Sequence, residues 1–217
     1  MIKVIKPKVR IFVEGKTEDN YFTELGKQLD LDFAIESIDM RGGGYSKFLS
    51  QIKKKGHLGC TVIFIVLDLD KVIKEKSEFN KLVSYCNSQN KKCPISYFLV
   101  GSYSDFEYFA CLHSSDYKNG DTNQFIIKNF NYKSVDEFKS DKKIFKFLNT
   151  GGRSKEKAIE KLNNKKAYIN NEYRPIKKVG GDIRIENKKI IINDEFENIK
   201  NSNINELFNI IGQAIEK

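Results

Sequence analysis

Glu14, Asp68 and Asp70 are the residues of this 217-residue chain whose types and spacing could do chemistry. Each stands at the end of a short apolar run: Glu14 after Val9-Arg-Ile-Phe-Val13, and Asp68-Leu-Asp70 after Thr61-Val-Ile-Phe-Ile-Val-Leu67. On an extended backbone the spacing of Asp68 and Asp70 points both side chains the same way, with Leu69 facing the opposite side. Carboxylates gathered at one end of a sheet repel unless a cation neutralises them. Mg²⁺ is typically held by one or two carboxylates together with water and phosphate oxygens, so the chemistry this spacing suggests is phosphoryl transfer with Mg²⁺ or Mn²⁺. The plain alternative is a Glu14 that satisfies a turn and an Asp70-Lys71 pair that begins a helix.

For these acids to meet, the runs that carry them must lie side by side as parallel strands, because ligands of such sheets bind outside the strands' carboxyl ends. The first half of the chain alternates accordingly. Thr17 is placed to cap a helix with Tyr21, Phe22, Leu25 and Leu29 at helical spacing. A second strand is expected over Phe33 to Met40, and a short helix capped by Ser46. The 61–67 run is apolar on both faces, as a central parallel strand must be. A helix around Phe79 to Cys86 and a fourth strand over Ile95 to Val100 complete the pattern. Ser104 and Glu107 form an S-x-x-E capping box for a helix reaching His113.

Beyond it the pattern changes to polar helical segments: one near Phe125 to Phe130, one capped by Ser134, and one from Ser154 to about Ala167. The alternating run Ile183 to Ile192 reads as a β-hairpin turning near Glu186-Asn187. Ile204 to Ile215 reads as a helix that docks on the sheet through Leu207, Ile210, Ile211 and Ile215. The expectation is an α/β core over 1–120, a basic helical and hairpin appendage over 121–200, and a C-terminal helix over 201–217.

Composition supports a folded chain, with 40% hydrophobic and 12% aromatic residues. The N-terminus lacks a signal peptide's apolar stretch, and no run approaches the ~18 apolar residues of a membrane span, which predicts a cytoplasmic protein with no membrane partner. Cys60, Cys86, Cys93 and Cys111 have no C-x-x-C spacing and read as free thiols. The net charge of +9 is concentrated: residues 133–189 hold seventeen Lys and Arg against eight Asp and Glu, leaving the remainder neutral. Such a segment suits a polyanion such as DNA or RNA, and equally a solvated Lys-rich surface. A homo-oligomer stays open.

Two glycine loops add phosphate-binding candidates. Arg41-Gly-Gly-Gly44, with Arg41 and Gly43, precedes a helix whose first N–H groups can receive an anion, and Gly151-Gly152-Arg153 precedes another with Lys155 beside it. Lys16 follows Glu14-Gly15 and joins them, as does Ser104. Glu107 and His113 are further candidates for acid–base work. Glu107 reads equally as the third residue of a cap, and His113 as a satisfied core histidine.

The order apolar strand, Glu14, Gly15 and a later apolar strand ending Asp68-x-Asp70 resembles the TOPRIM domain of topoisomerases, primases and nucleases of the overcoming-lysogenization-defect (OLD) type. Val13-Glu-Gly-Lys-Thr-Glu-Asp-Asn-Tyr-Phe22 is similar to the opening of RloB-like proteins, as are Ser104-Asp-Phe-Glu107 with His113 and Asn201-Ser-Asn-Ile204 to later parts of that family. The chain lacks the family's Asn-Pro before Phe106 and the Pro of its C-terminal motif. The resemblance implies a TOPRIM-like fold, Asp68 and Asp70 as metal ligands, and Glu14 as a ligand or general acid–base group. It also implies a Mg²⁺-dependent nuclease of bacterial anti-phage defence (abortive infection), working with an AAA- or OLD-type ATPase. The rival expectation is a binding or sensor module that keeps the carboxylates without cleaving.

Overall fold

A computed structural model describes residues 8–28, 34–41, 43–55, 60–103, 105–163, 165–179, 182–193 and 201–215. Four strands form one parallel sheet in the order β2-β1-β3-β4: β1 (Lys8–Val13), β2 (Ala34–Asp39), β3 (Cys60–Asp68) and β4 (Ser96–Ser102). Helices α1 (Lys16–Gln28), α2 (Gly44–Lys55) and α3 (Lys76–Lys92) make the crossovers. As its two-sided apolar pattern requires, β3 lies inside the sheet, and Val62 to Leu67 are all buried.

The strand alternation builds a core on each face. Val62, Phe64 and Val66 pack with Tyr21, Phe22 and Leu25 of α1 and with α4 (Phe106–Leu112). Ile63, Ile65 and Leu67 pack on the other face with Phe48 of α2 and Phe79 and Leu82 of α3. Glu14 and Asp68 are the next residues along their strands, so each inherits a face: Asp68 continues the row toward α1 and α4, Glu14 the row of Phe12 toward α3. Gly101 of β4 sits where a Cβ would come within 2.7 Å of Leu69 Cδ1, so only glycine lets β4 lie this close to the Asp68-Leu-Asp70 corner.

The basic region folds as four short helices and a hairpin. These are α5 (Thr122–Asn129), α6 (Val135–Ser140), α7 (Ile144–Leu148), α8 (Lys155–Asn163), and antiparallel β5 (Ile169–Val179) with β6 (Asp182–Ile192). Ile126, Phe138, Phe145, Leu148 and Leu162 share the apolar cluster of α1 and α4. The last helix, α9 (Ile204–Ile215), buries Leu207, Ile210 and Ile211 in it as well. No helix among the described residues is long and apolar enough to cross a membrane. All four cysteines are free, and Cys60, Cys86 and Cys111 are buried.

Several local expectations need correction. α1 starts at Lys16, so Thr17 lies inside it and its hydroxyl donates instead to Glu107 Oε1 at 3.2 Å. α2 starts at Gly44, before Ser46. Asp105, whose Oδ1 accepts from the Tyr108 amide at 3.2 Å, caps α4 in place of the expected Ser104–Glu107 box; Ser104 itself lies outside the described residues. Glu186 and Asn187 sit within β6 rather than at a turn, because the strand pairs back through Val179↔Asp182 onto a polar β5. The expected cap of α6 forms, with Ser134 Oγ accepting from the Glu137 amide.

Side-chain amides cover the outer edge of β4. Asn90 exchanges two hydrogen bonds with the Tyr97 backbone, and Asn171 two with Leu99. Asn203 Oδ1 accepts from the Gly101 N–H while its Nδ2 donates to the Leu99 carbonyl, and Asn187 adds a bond to the Tyr97 carbonyl. The amides imitate the strand that a fifth neighbour would supply. Asn171→Ala is expected to strand the buried Leu99 N–H, costing about 1–3 kcal/mol. Differential scanning fluorimetry would read that as a melting temperature roughly 2–10 °C lower; an unchanged melt rejects the amide's structural role.

Candidate active site

Glu14 is buried at 9% exposure, and both its oxygens are engaged. Oε2 accepts from the Asp68 N–H at 3.2 Å and Oε1 from the Lys71 ammonium at 2.9 Å. β3 ends at Asp68, and Asp70 stands exposed in the turn that leads to α3. Both aspartates and Glu14 act electrostatically on Lys71, which is held above its usual range chiefly by the hydrogen bond to Glu14 and further by the charges of Asp70 and Asp68. Of the three acids expected from the sequence, Glu14 alone pairs with this ammonium, and Asp68 and Asp70 act on it through their charge. The Tyr45 hydroxyl, donating to the Asp68 carbonyl at 3.0 Å, closes this side.

On the opposite side of Asp68 lie Glu107 of α4, a candidate from the sequence, and Glu18 of α1, four residues after Glu14 and not singled out from the sequence; their exposures are 3% and 4%. Glu107 accepts from Thr17 and pairs with Lys139 of α6 at 3.4 Å. Burial, followed by the charges of Glu18, Glu14, Glu107 and Asp105, pushes the Asp68 carboxyl well above the usual carboxylate range. Burial pushes Glu18 up to about 8, with Glu107 and Glu14 adding to the effect. Burial also raises Glu107, against the pull of Lys139, while Lys139 stays protonated because Glu107 outweighs its own desolvation. Six acids, Glu14, Glu18, Asp68, Asp70, Asp105 and Glu107, thus face two lysines.

This donor set consists of hard oxygen atoms, a chemistry that suits Mg²⁺ or Mn²⁺ better than a soft or imidazole-seeking metal. Among the described residues, no three acid, imidazole or thiol groups converge closely enough to ligate one ion as placed. Lys71 occupies Glu14 instead.

The other candidates fall elsewhere. His113 has no exposed surface. The Phe109 carbonyl, 3.0 Å from Nδ1, can only accept, so Nδ1 carries the proton and Nε2, at 3.0 Å, accepts from the Tyr21 hydroxyl. The geometry is that of a satisfied core histidine, locked among Tyr21, Phe109 and their aromatic neighbours. Burial lowers its pKa to about 4. In an NMR titration one imidazole should therefore stay neutral until about pH 4, and a midpoint near the ordinary 6.5 contradicts this placement.

Arg41 is exposed, with a backbone φ of 53° and its N–H on Asp39 Oδ1. Gly43 has φ 101°. At the start of α2 the Tyr45 N–H already donates to Glu75 Oε2 at 3.3 Å, so an internal carboxylate takes the place expected for a phosphate. Lys16 is exposed at the start of α1. Arg153 lies flat over Phe147, 4.1 Å from its ring centre, and donates to the Phe147 carbonyl; Lys155 pairs with Glu156. Both have structural partners.

A parallel sheet in the order β2-β1-β3-β4, layered by helices on both faces and with acids collected at its carboxyl end, defines a TOPRIM-like α/β protein carrying a basic helical and hairpin extension. The family model described as RloB-like protein matches residues 9–189, and the chain belongs to that family. No curated protein and no solved structure matches the chain.

Proposed function

We propose that the protein is a Mg²⁺- or Mn²⁺-dependent TOPRIM-type nuclease, or a related phosphoryl-transfer enzyme acting on nucleic acid, in bacterial defence against phage alongside an ATPase partner. The observation that supports this reading most is the surplus of carboxylates around Asp68, which no structural need explains and which a dication would relieve. Asp68, Asp70 and Glu14 would hold the ion, which when bound supplies charge to polarise a phosphate and activate water. Lys71, released from Glu14, is placed to meet a phosphate oxygen. Glu18, protonated until about pH 8, has the proton affinity of a group that hands a proton to a leaving oxygen. The basic helices would supply salt-sensitive grip on the polyanion. The defence role and the ATPase rest on the family resemblance.

The Lys71–Glu14 contact favours a second reading, a module that binds nucleic acid without cutting it. The test is cleavage of labelled single- and double-stranded DNA, RNA and tRNA with Mg²⁺ or Mn²⁺, comparing wild type with Asp68→Asn, with and without a neighbouring ATPase. Metal-dependent cutting lost in the variant supports the nuclease; binding with no cutting in any arm selects the second reading.

A further inference from the structure

Beside the acidic cluster lies a separate cleft of about 510 Å³, walled by Tyr103, Tyr108 and Tyr117 and edged by Asp121, Thr122 and Lys165. Its volume falls within the roughly 300–1,000 Å³ of small-molecule sites. Its position follows from the sheet register. Ser102 pairs with Asp68 across β3 and β4, Tyr103 is the next residue, and Tyr108 directly follows Glu107 on α4. The β4–α4 corner is therefore shared, with carboxylates on one side and tyrosines on the other.

The walls are built rather than incidental. Tyr108 and Tyr117 meet edge to face at 6.2 Å, and the Tyr117 hydroxyl donates to the Gly120 carbonyl at 2.7 Å. Lys161 of α8 fastens the intervening loop by donating to the Ser114 and Tyr117 carbonyls at 2.6 and 3.2 Å. Lys157 and Lys161 lie one turn apart on α8, with Lys157 donating to the Gly152 carbonyl at 2.6 Å, and beyond the end of α8 the exposed Lys165 edges the cleft with its ammonium 3.5 Å from the Tyr108 hydroxyl. Lys161 senses its neighbours: burial first, then the charges of Lys165 and Lys157, lower its pKa. An aromatic-walled cleft with an exposed ammonium at its edge and a carboxylate cluster in the neighbouring elements is complementary to an unpaired nucleotide. The base finds π-faces, a flanking phosphate finds the Lys165 ammonium, and on the nuclease reading the strand continues toward the carboxylates. A duplex keeps its bases stacked inside and has nothing to insert.

We propose that the Tyr103–Tyr108–Tyr117 cleft receives an unstacked base of single-stranded nucleic acid, whose backbone passes Lys165. The destination of the adjoining phosphate rests on the nuclease reading above; the cleft itself does not. The test is fluorescence anisotropy in chelator, where no cleavage occurs, with labelled short single strands of DNA and of RNA and a duplex of the same sequence. The single strand should bind at least about tenfold tighter than the duplex, by the stacking of even one base. Tyr103→Ala should weaken it by roughly 5- to 150-fold, the equivalent of one lost base stack, while Tyr103→Phe binds as wild type. Lys165→Ala, an exposed change that leaves the fold alone, should reduce the salt dependence by about one phosphate contact. Equal affinity for duplex and single strand overturns the proposal, as does a folded Tyr103→Ala that binds within twofold of wild type; should that variant melt, the strand preference and the Lys165→Ala salt slope decide. Preferential DNA or RNA binding identifies the sugar. Binding with these preferences but no cleavage in any metal removes the nuclease reading and keeps the cleft, whereas cleavage insensitive to Tyr103 and Lys165 does the reverse.

Discussion

Asp68→Asn is expected to abolish metal-dependent cleavage while making the protein more stable in chelator. The two effects have one cause. The Asp68 carboxyl is pushed far above its ordinary range by burial among Glu18, Glu14, Glu107 and Asp105, so in the absence of a cation it strains the fold. The amide keeps the shape and removes the charge, and each kcal/mol relieved should raise the melting temperature by about 2–4 °C in a chain of this size. Removing a charged group that acts on the developing transition state costs on the order of 10²–10³-fold in rate. Mg²⁺ adds a third readout: at a hundredfold excess over its dissociation constant a ligand stabilises by about 2.7 kcal/mol, a rise of roughly 5–10 °C for the wild type that the variant should lack. Scanning fluorimetry with Mg²⁺ and with chelator, run beside the cleavage assay, reads all three. A variant that cuts within tenfold of wild type, or that shows the same Mg²⁺ shift, rejects the assignment.

The second expected effect is a loss of stability as pH rises from 6.5 to 8, opposite to what paired carboxylates produce. Glu18 binds its proton up to about pH 8 in the folded chain, whereas in the unfolded chain it is ionised above its ordinary value of 4.5. Between those values the folded state holds more protons, so stability falls with pH, by up to about 1.4 kcal/mol per unit for each such group. Asp68 acts in the same direction. His113 opposes them, because its folded value of about 4 lies below the ordinary 6.5, so its contribution rises with pH over that interval. Above pH 6.5 the acids act alone. Urea unfolding in chelator should therefore show a decline of roughly 2 kcal/mol or more between pH 6.5 and 8, made shallower in Glu18→Gln. Mg²⁺ should reverse the slope, since ligands must lose protons to bind it. A flat profile for wild type refutes the buried, protonated Glu18.

Strand ends were the part of this protein open to sequence reasoning. A two-sided apolar run marked β3 and a short apolar run marked β1, and an acid immediately after such a run lies at the sheet's carboxyl edge, so the position of Glu14 and Asp68 in the fold was legible. Glu18 was overlooked because an acid in a helix's first turn ordinarily reads as a partner of the helix dipole; its spacing of four from Glu14 was the available signal. Glu107 was visible, but only the structure shows its partners Thr17 and Lys139, which come from distant parts of the chain. The five-residue α7 is too short to show a period. β5 escaped because Asn171, Glu172, Arg174 and Pro175 read as loop chemistry, and the Gly-Gly that follows it was the hairpin signal. The motif residues Tyr21 and Phe22 turn out to pack the interior, with Tyr21 holding His113.

The amide cover of β4 bears on how the chain is made. Asn90 is available early, but Asn171, Asn187 and Asn203 lie far downstream of the strand they cover. As the polypeptide leaves the ribosome, the sheet can assemble through Ser102 while the edge at Leu99 and Gly101 is still bare. An uncovered strand edge is a template for pairing with another chain. The nascent protein is therefore most prone to aggregate in the interval before Asn203 is synthesised, and a fragment ending near residue 120 would retain that liability permanently.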